Sequence, residues 1–233
     1  MSFNGVSFNL SPELALAVSV QECSRVAAAP DRYPGDAHPA YTAFIFPTQG
    51  RDNLEITPEL RVYALSGDLS EFVYPLNSLA DLQHVLEGRQ TPIAWLDRAP
   101  LAVRQQYVDV VGGAGVRALM QYMQDFYFFS NNGLVYEYNG LTQDGRYFVR
   151  LQYAVSAPFL MEFSDRSDPR SNLNAQAIAI PDWPVDHFDA QMQIVKDYNA
   201  QALARFDTLT DSDVSPNLAL LDALVQSIEI DRP

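Results

Sequence analysis

The chain has 233 residues and a formal net charge of −14, which argues against binding to nucleic acid or to an anionic membrane, because both need a basic protein surface. Cys23 is the only cysteine, so an intramolecular disulfide and a multi-thiolate metal site are excluded. No hydrophobic run approaches the length of a membrane span. We therefore expect no transmembrane segment, no bound metal and no cofactor, and a partner that is a small molecule or a protein.

Short strands dominate the first third of the chain, where β-branched and aromatic residues alternate with polar ones. The predicted strands are Gly5–Leu10, Leu14–Val26, Tyr41–Phe46 and Leu60–Leu65. The first predicted helix runs from Leu79 to Glu87. Ser78 is a suitable N-cap for this helix and Gly88 a suitable C′ residue.

Residues 103–155 predict a four-strand antiparallel meander around which the other elements pack. Its turns are expected at Gly112–Gly115, Ser130–Gly133 and Thr142–Gly145. Closing the first hairpin with a four-residue loop pairs Val111 with Val116. The glycines suggest a tight turn rather than a phosphate-binding loop, because no Lys-Ser/Thr pair follows them.

The last hairpin turns at Asp144-Gly145, a dipeptide typical of a type I′ turn. A two-residue loop places Tyr138 opposite Leu151, and a four-residue loop places Tyr138 opposite Val149. Both registers keep the same residues together because side chains alternate between the two faces of a strand. One face then carries Tyr136, Tyr138, Val149, Leu151 and Tyr153, and the other carries Glu137, Asn139, Arg150 and Gln152.

After the meander, a long irregular connection is expected over residues 156–184. A helix follows from Val185 to about Leu209, and Ser215-Pro216 opens a last helix. The pattern as a whole predicts an α+β fold, mainly an antiparallel sheet with the meander at 103–155, packed against helices that include two C-terminal ones. We expect residues 1–233 to form a single domain.

The polar face of the predicted sheet is the candidate ligand-binding site. Its members are Arg117, Gln121, Glu137, Arg150 and Gln152. Arginines among amides and tyrosines suit an anionic or sugar-like ligand. The structural alternative is a cross-strand ion pair between Glu137 and Arg150 on a solvated face.

Other candidate chemistry is weaker. His38, His84 and His187 are scattered and lack the spacing of a zinc-binding helix. The aspartates near His187 suit the N-terminus of a helix, and the acidic loop 211–215 suits helix capping better than calcium binding. No nucleophile-elbow motif is present, so no catalytic residue is predicted, but a carboxylate pair assembled in space remains open as hydrolase chemistry.

Three regions together resemble an uncharacterised family of bacterial proteins that are often predicted to be exported lipoproteins. They are FNGVSFNLSPELA, the two middle segments GAGVRALMQYMQDF and NNGLVYEYNGLTQDGRYFVRLQYAVSAP, and NLALLDALVQSIEI. The resemblance implies an extracytoplasmic location and transfers no activity or functional residue. A weaker, fold-level likeness is to PsbP-like domains. No signal peptide or lipobox cysteine is visible at the start of this sequence, which leaves a cytoplasmic location as the alternative.

These observations favour a non-enzymatic, exported domain that binds a ligand or another protein. The two alternatives are a hydrolase that uses a spatially assembled carboxylate pair and a structural domain of an envelope assembly.

Overall fold

The computed structural model describes residues 1–29, 31, 36–47, 56–66, 79–90, 101–122, 127–164, 169–184 and 186–231. Within these ranges the chain forms ten strands, three α-helices and short 3-10 helices. The predicted N-cap Ser78 lies outside the described residues.

The elements follow one another along the chain with these bounds. The strands are β1 Ser2–Phe3, β2 Val6–Ser7, β3 Ser19–Cys23, β4 Tyr41–Ile45, β5 Glu59–Ala64, β6 Leu101–Val110, β7 Gly113–Gln121, β8 Val135–Thr142, β9 Tyr147–Ala154 and β10 Glu229–Ile230. The helices are α1 Leu79–Gly88, α2 Phe188–Phe206 and α3 Leu218–Gln226.

Seven strands form the main sheet in the order β3-β4-β5-β9-β8-β7-β6. Every neighbouring pair in it is antiparallel. The predicted meander is therefore confirmed as β6 to β9, and the predicted α+β class is confirmed with it. β3, β4 and β5 extend the meander into this sheet because β5 pairs with β9. A second, three-stranded sheet, β1-β2-β10, joins the two ends of the described chain.

The first hairpin of the meander is tighter than predicted. Val110 pairs with Gly113, so Val111 and Gly112 form the turn, and Gly112 adopts a φ of 72°. The predicted pairing of Val111 with Val116 is wrong, because Tyr107 is the partner of Val116. Gly113 belongs to the strand, where a Cβ would overlap the carbonyl of Leu141.

The last hairpin has the register of the two-residue loop, with Tyr138 opposite Leu151. Its predicted type I′ geometry is wrong, because Gly145 has a φ of 68° and Asp144 is not in the left-handed region. The N–H of Gly145 donates to the carbonyl of Thr142 at 2.9 Å. Consecutive positive φ values, the pattern of a type I′ turn, occur instead at Asn4 (45°) and Gly5 (74°) between β1 and β2.

The second predicted turn, Ser130–Gly133, does not join its strands directly. β7 ends at Gln121 and β8 begins at Val135, so Ser130–Gly133 lies within a longer connection. There the N–H of Asn131 donates to the carbonyl of Met161 at 2.8 Å, and that of Asn132 donates to Glu162 at 2.9 Å. The Asn-Gly segment is therefore held by the connection that follows the meander.

The helices begin and end close to the predicted positions. Gly88 is the last residue of α1, and it is Arg89 that takes the left-handed conformation expected of Gly88, with a φ of 44°. α3 is capped by Asn217, whose side chain accepts the N–H of Ala219 at 2.9 Å. None of the helices within the described ranges is long and apolar enough to cross a membrane.

Apolar side chains cover both faces of the main sheet. On one face, which we call the α2/α3 face, the largest cluster includes Leu60, Leu119, Tyr136, Leu151 and residues of α2 and α3. On the other, the α1 face, a smaller cluster joins Tyr63, Val116, Met120 and Phe148 to Leu82 of α1. The sheet is thus the middle layer of the fold.

The described part of the connection over residues 156–184 contains neither a strand nor an α-helix, and it packs tightly. Phe159, Leu160, Met161, Ile178 and Trp183 from this segment are buried in the larger cluster. A short 3-10 helix, Pro169–Asn172, interrupts the segment. Burial of so many apolar side chains gives a reason for its length that is independent of function.

Candidate functional site

The main sheet divides the predicted site between its two faces. Glu137, Arg150 and Gln152 lie on the α1 face, as predicted. Arg117 lies on the α2/α3 face, because it pairs with the core residue Tyr138, and Gln121 follows it four residues along the same strand. The expectation that all five share one face is wrong. A long connection separates β7 from β8, so alternation in the sequence does not show which residues of the two strands point to the same face.

Glu137 is the centre of a hydrogen-bonded cluster on the α1 face. Its carboxylate accepts bonds from the hydroxyl of Tyr122 at 3.2 Å and from the side-chain amides of Asn139 and Gln152, both at 2.9 Å. Arg150 adds an ion pair at 3.1 Å. The side chain of Glu137 is only 3% exposed, so these donors replace the water that the carboxylate loses on burial.

The ion pair between Glu137 and Arg150, the alternative predicted for this face, is present. The face is not solvated at this point, because Glu137 is buried. The two residues are diagonal neighbours, because the direct partner of Arg150 is Asn139. Burial acts to lower the pKa of Arg150, but the neighbouring Glu137, Tyr122 and Tyr63, with Glu137 contributing most, together outweigh burial and raise the pKa. Arg150 therefore carries its charge at neutral pH.

Arg61 stands directly opposite Arg150, on β5. Its guanidinium forms an ion pair with Glu59 at 2.5 Å, donates to the hydroxyl of Tyr63 at 3.3 Å, and lies over the ring of Tyr41 at 5.2 Å. Sequence reasoning missed Arg61 because the pairing of β5 with β9 joins distant parts of the chain. The alternating Glu59, Arg61 and Tyr63 were the available signal.

A cavity of about 440 Å³ opens on the α1 face, between α1 and the turns of the meander. Its described lining is Leu65, Leu79, Gln83, Leu86, Glu87, Arg89, Asp109, Gly113, Ala114, Leu141, Thr142, Gln143 and Gly145. Leucines supply the apolar part. The volume is in the usual range for small-molecule sites.

An ion pair stands at the edge of this cavity. Arg89, directly after α1, contacts Asp109 of β6 through two N–H groups, the longer bond being 3.3 Å, and lies over the ring of Tyr107 at 5.7 Å. The hydrogen bonds from Arg89 lower the pKa of Asp109. These contacts hold a non-glycine residue in the left-handed region, which is unfavourable for its backbone.

Arg117 belongs to a buried cluster that attaches α3 to the sheet. It pairs with Asp222 of α3 at 3.0 Å, and the hydroxyl of Tyr136 donates to the same carboxylate at 2.8 Å. Gln106 accepts a further bond from Arg117. The side chain of Arg117 is only 4% exposed, so its role here is to position α3.

The remaining candidates stay apart. Asp182 pairs with Arg170 at 3.3 Å, and His38 lies 2.8 Å from the carbonyl of Pro39. In the acidic loop, Asp213 and Thr210 form a capping box for a 3-10 helix, which agrees with the capping interpretation. Across the described ranges, no group of three His, Cys, Asp or Glu side chains is placed to hold a metal ion.

Comparison with known proteins yields no family model, no curated protein and no solved structure that matches this chain. Proposals about its function therefore depend on the chemistry of its own side chains. The α1 face offers two features of interest, the cavity beside α1 and the arginine pair of β5 and β9.

Proposed function

We propose that this protein is a non-catalytic binding domain that takes a small, mostly apolar ligand in the cavity beside α1. The carrying observation is the cavity itself, about 440 Å³ in volume and lined by Leu65, Leu79, Leu86 and Leu141 together with a few polar groups. This combination is typical of small-molecule sites, in which apolar surface supplies affinity and polar groups supply orientation.

The described lining also indicates the charge of the ligand. Arg89 and Asp109 neutralise each other, which leaves Glu87 as the unbalanced charged side chain among the described lining residues. Gln83 supplies an uncharged hydrogen-bonding group at the wall, whereas the Thr142 hydroxyl already donates to Asp144 at 2.6 Å and accepts the N–H of Tyr147 at 3.0 Å. We therefore expect a neutral or cationic molecule rather than an anionic one.

Binding is favoured over the hydrolase alternative by the state of Asp109. A carboxylate-pair hydrolase needs one carboxyl group that stays protonated near neutral pH. Hydrogen bonds from Arg89 lower the pKa of Asp109, which makes this carboxyl group a poor proton donor. None of the described lining residues favours a role in envelope assembly over ligand binding.

Export remains a separate proposal, supported by the sequence resemblance alone. Immunodetection of the protein in fractionated source cells tests it. Recovery in the extracytoplasmic fraction is the expected result, and recovery only with cytoplasmic markers would contradict export while leaving the cavity proposal intact.

Titration with Nile red, a neutral apolar dye, tests the binding proposal. We expect a saturable rise in fluorescence with the wild-type protein and at least a tenfold loss of affinity when Leu86→Trp fills the cavity. Gln83→Trp provides a second filling variant at an exposed position of α1. Leu203→Trp is the matched control, because Leu203 is 40% exposed on α2 and lies outside the cavity.

Circular dichroism of each variant establishes that it is folded before the dye is added. The proposal fails if the wild-type protein shows no saturable binding. It also fails if the folded filling variants bind the dye as tightly as the control does.

A further inference from the structure

We propose that Arg61 and Arg150 form a second site, which binds a small oxyanion: the carboxylate or phosphoryl group of a ligand. The site lies on the α1 face, and neither arginine lines the cavity described above. This inference is independent of the proposed apolar ligand, because it depends on different residues and a different chemistry.

The two arginines are direct partners on neighbouring strands. Side chains in this relationship have Cβ atoms about 5 Å apart, and like charges placed so are unfavourable. Glu59 and Glu137 partly compensate, since each forms one ion pair with the arginine beside it. The backbone register thus sets two like-charged side chains side by side on the α1 face, and their present contacts take Arg61 to Glu59 and Arg150 to Glu137. An anion bound by both arginines would offset the repulsion between them.

Each of these ion pairs uses only a small part of its guanidinium. Arg61 reaches Glu59 through Nη2, and Arg150 reaches Glu137 through Nη2, at one oxygen in each case. A guanidinium normally offers two parallel N–H groups to one carboxylate or phosphate. Both arginines therefore retain donors that the carboxylates do not occupy.

One of these donors is a buried group without an acceptor. The Nε of Arg61 is buried and has no hydrogen-bond partner, although an unsatisfied buried N–H is costly. Because this Nε has no exposed surface, the Arg61 side chain must turn before an oxyanion can supply the missing acceptor. The side chains of Arg61 and Arg150 remain 33% and 22% exposed, so a small anion can reach them from solvent.

Neighbouring side chains would allow Arg150 to bind an anion while it keeps its ion pair with Glu137. Glu137 also accepts bonds from Tyr122, Asn139 and Gln152, so its carboxylate does not depend on Arg150 alone. On the other side, Arg61 is supported by Tyr63 and by the ring of Tyr41. Since the two carboxylates balance the two arginines in charge, recognition would rest on the geometry of the N–H groups rather than on a net positive field.

Nuclear magnetic resonance of the arginine Nε–Hε groups provides the test, with inorganic phosphate and acetate as separate probes at constant ionic strength. We expect saturable shifts of Arg61 and Arg150 with at least one probe. Saturation by phosphate alone assigns the site to phosphoryl groups, and saturation by acetate assigns it to carboxylates. Arg61→Lys and Arg150→Lys should each weaken binding at least tenfold, because lysine keeps the charge and loses the planar donors.

Arg146→Lys is the matched control, because Arg146 is 56% exposed in an ion pair at the β8–β9 turn. It should bind the probe as the wild-type protein does. Equal binding by the wild-type protein and either folded lysine variant of the pair, or unsaturable shifts spread over all arginines, would overturn the proposal. If Arg150→Lys does not fold, Arg61→Lys decides the outcome, since Glu137 keeps all its partners in that variant.

Discussion

The ring of Tyr138 lies directly against the backbone of Gly115 on the neighbouring strand. A Cβ at Gly115 would be 2.6 Å from the ring Cζ, and a Cβ at Gly140 would be equally close to the same atom. Gly115 and Gly140 are register partners on β7 and β8. The glycines therefore provide the space in which a buried aromatic ring lies flat on the sheet.

Replacing either glycine with alanine should destabilise the protein by about 1 to 3 kcal/mol, because the added methyl group overpacks the site. Urea denaturation of Gly115→Ala and Gly140→Ala measures the change in free energy of unfolding. Gly88→Ala is the control, since a Cβ at Gly88 meets nothing within 4 Å. It should be neutral or stabilising, because alanine restricts the unfolded chain more than glycine does.

The two glycines should differ when Tyr138 is shortened to leucine. The nearest atoms to a Cβ at Gly140 all belong to Tyr138, whereas a Cβ at Gly115 also lies 2.5 Å from the carbonyl oxygen of Asn139. In the Tyr138→Leu background, Gly140→Ala should cost little and Gly115→Ala should remain destabilising. Equal rescue of both variants would contradict this account of the contact.

Gly145→Val should destabilise the β8–β9 hairpin by roughly 1 kcal/mol or more, because β-branched residues tolerate positive φ poorly. A Cβ at Gly145 meets nothing within 4 Å, so the φ of 68° is the only source of the effect. Thermal unfolding provides the measurement. Gly145→Asn should lower the melting temperature less than Gly145→Val does, since asparagine adopts this conformation more readily. An unchanged melting temperature for the valine variant would argue against the turn.

Removing Arg117 should leave the carboxylate of Asp222 without its cation in a largely buried place. We expect Arg117→Met to cost about 3 to 5 kcal/mol. The double variant Arg117→Met with Asp222→Leu should be less destabilised than the sum of the single variants, because no unpaired charge remains. Arg146→Met, at an exposed ion pair, is the control and should leave the urea midpoint unchanged; strict additivity of the two core changes would show that they are not coupled.

Stability should fall in alkaline solution through Tyr198. Burial raises the pKa of this buried hydroxyl to about 12, while the same group in the unfolded chain titrates near 10. A raised folded pKa contributes stability that is fully present below pH 10 and is lost as the pH rises towards 12. At about pH 11 the loss should be roughly 1 kcal/mol.

Tyr198→Phe tests this dependence. The N–H of Met161 donates to the Tyr198 hydroxyl at 2.8 Å, so the variant should be less stable than the wild-type protein at neutral pH. Urea unfolding at about pH 9 and about pH 11 should show the difference between the two proteins narrowing. A constant difference would indicate that Tyr198 titrates normally.

Local pattern was enough to predict the meander and the distribution of residues along β8 and β9. Tyr136 and Tyr153 are cross-strand partners on the core side, and Glu137 and Arg150 pair on the other side. Period-two alternation within one hairpin carries this information, because a one-residue slip would expose every core residue. The turn geometries were less predictable, since the glycines at 113 and 115 serve close packing in the strand and not the loop.

The relation between distant strands was not available from pattern. Nothing local places Arg117 on the opposite face from Glu137, because the phase of β7 relative to β8 is decided across an irregular connection that packs on residues 161 and 162. For the same reason Arg61 and Arg150 could not be recognised as partners before the pairing of β5 with β9 was known.

By itself, the sequence determined the fold class and the four meander strands, through side-chain alternation and turn chemistry. Its composition determined the acidic, single-cysteine character of the chain. Tertiary structure alone decided which polar residues meet, and it produced the cavity beside α1 and the arginine pair. The physical reason is the distance along the chain over which each interaction acts. Side-chain alternation acts over a few residues, whereas strand order and helix docking depend on the burial of apolar surface from the whole chain.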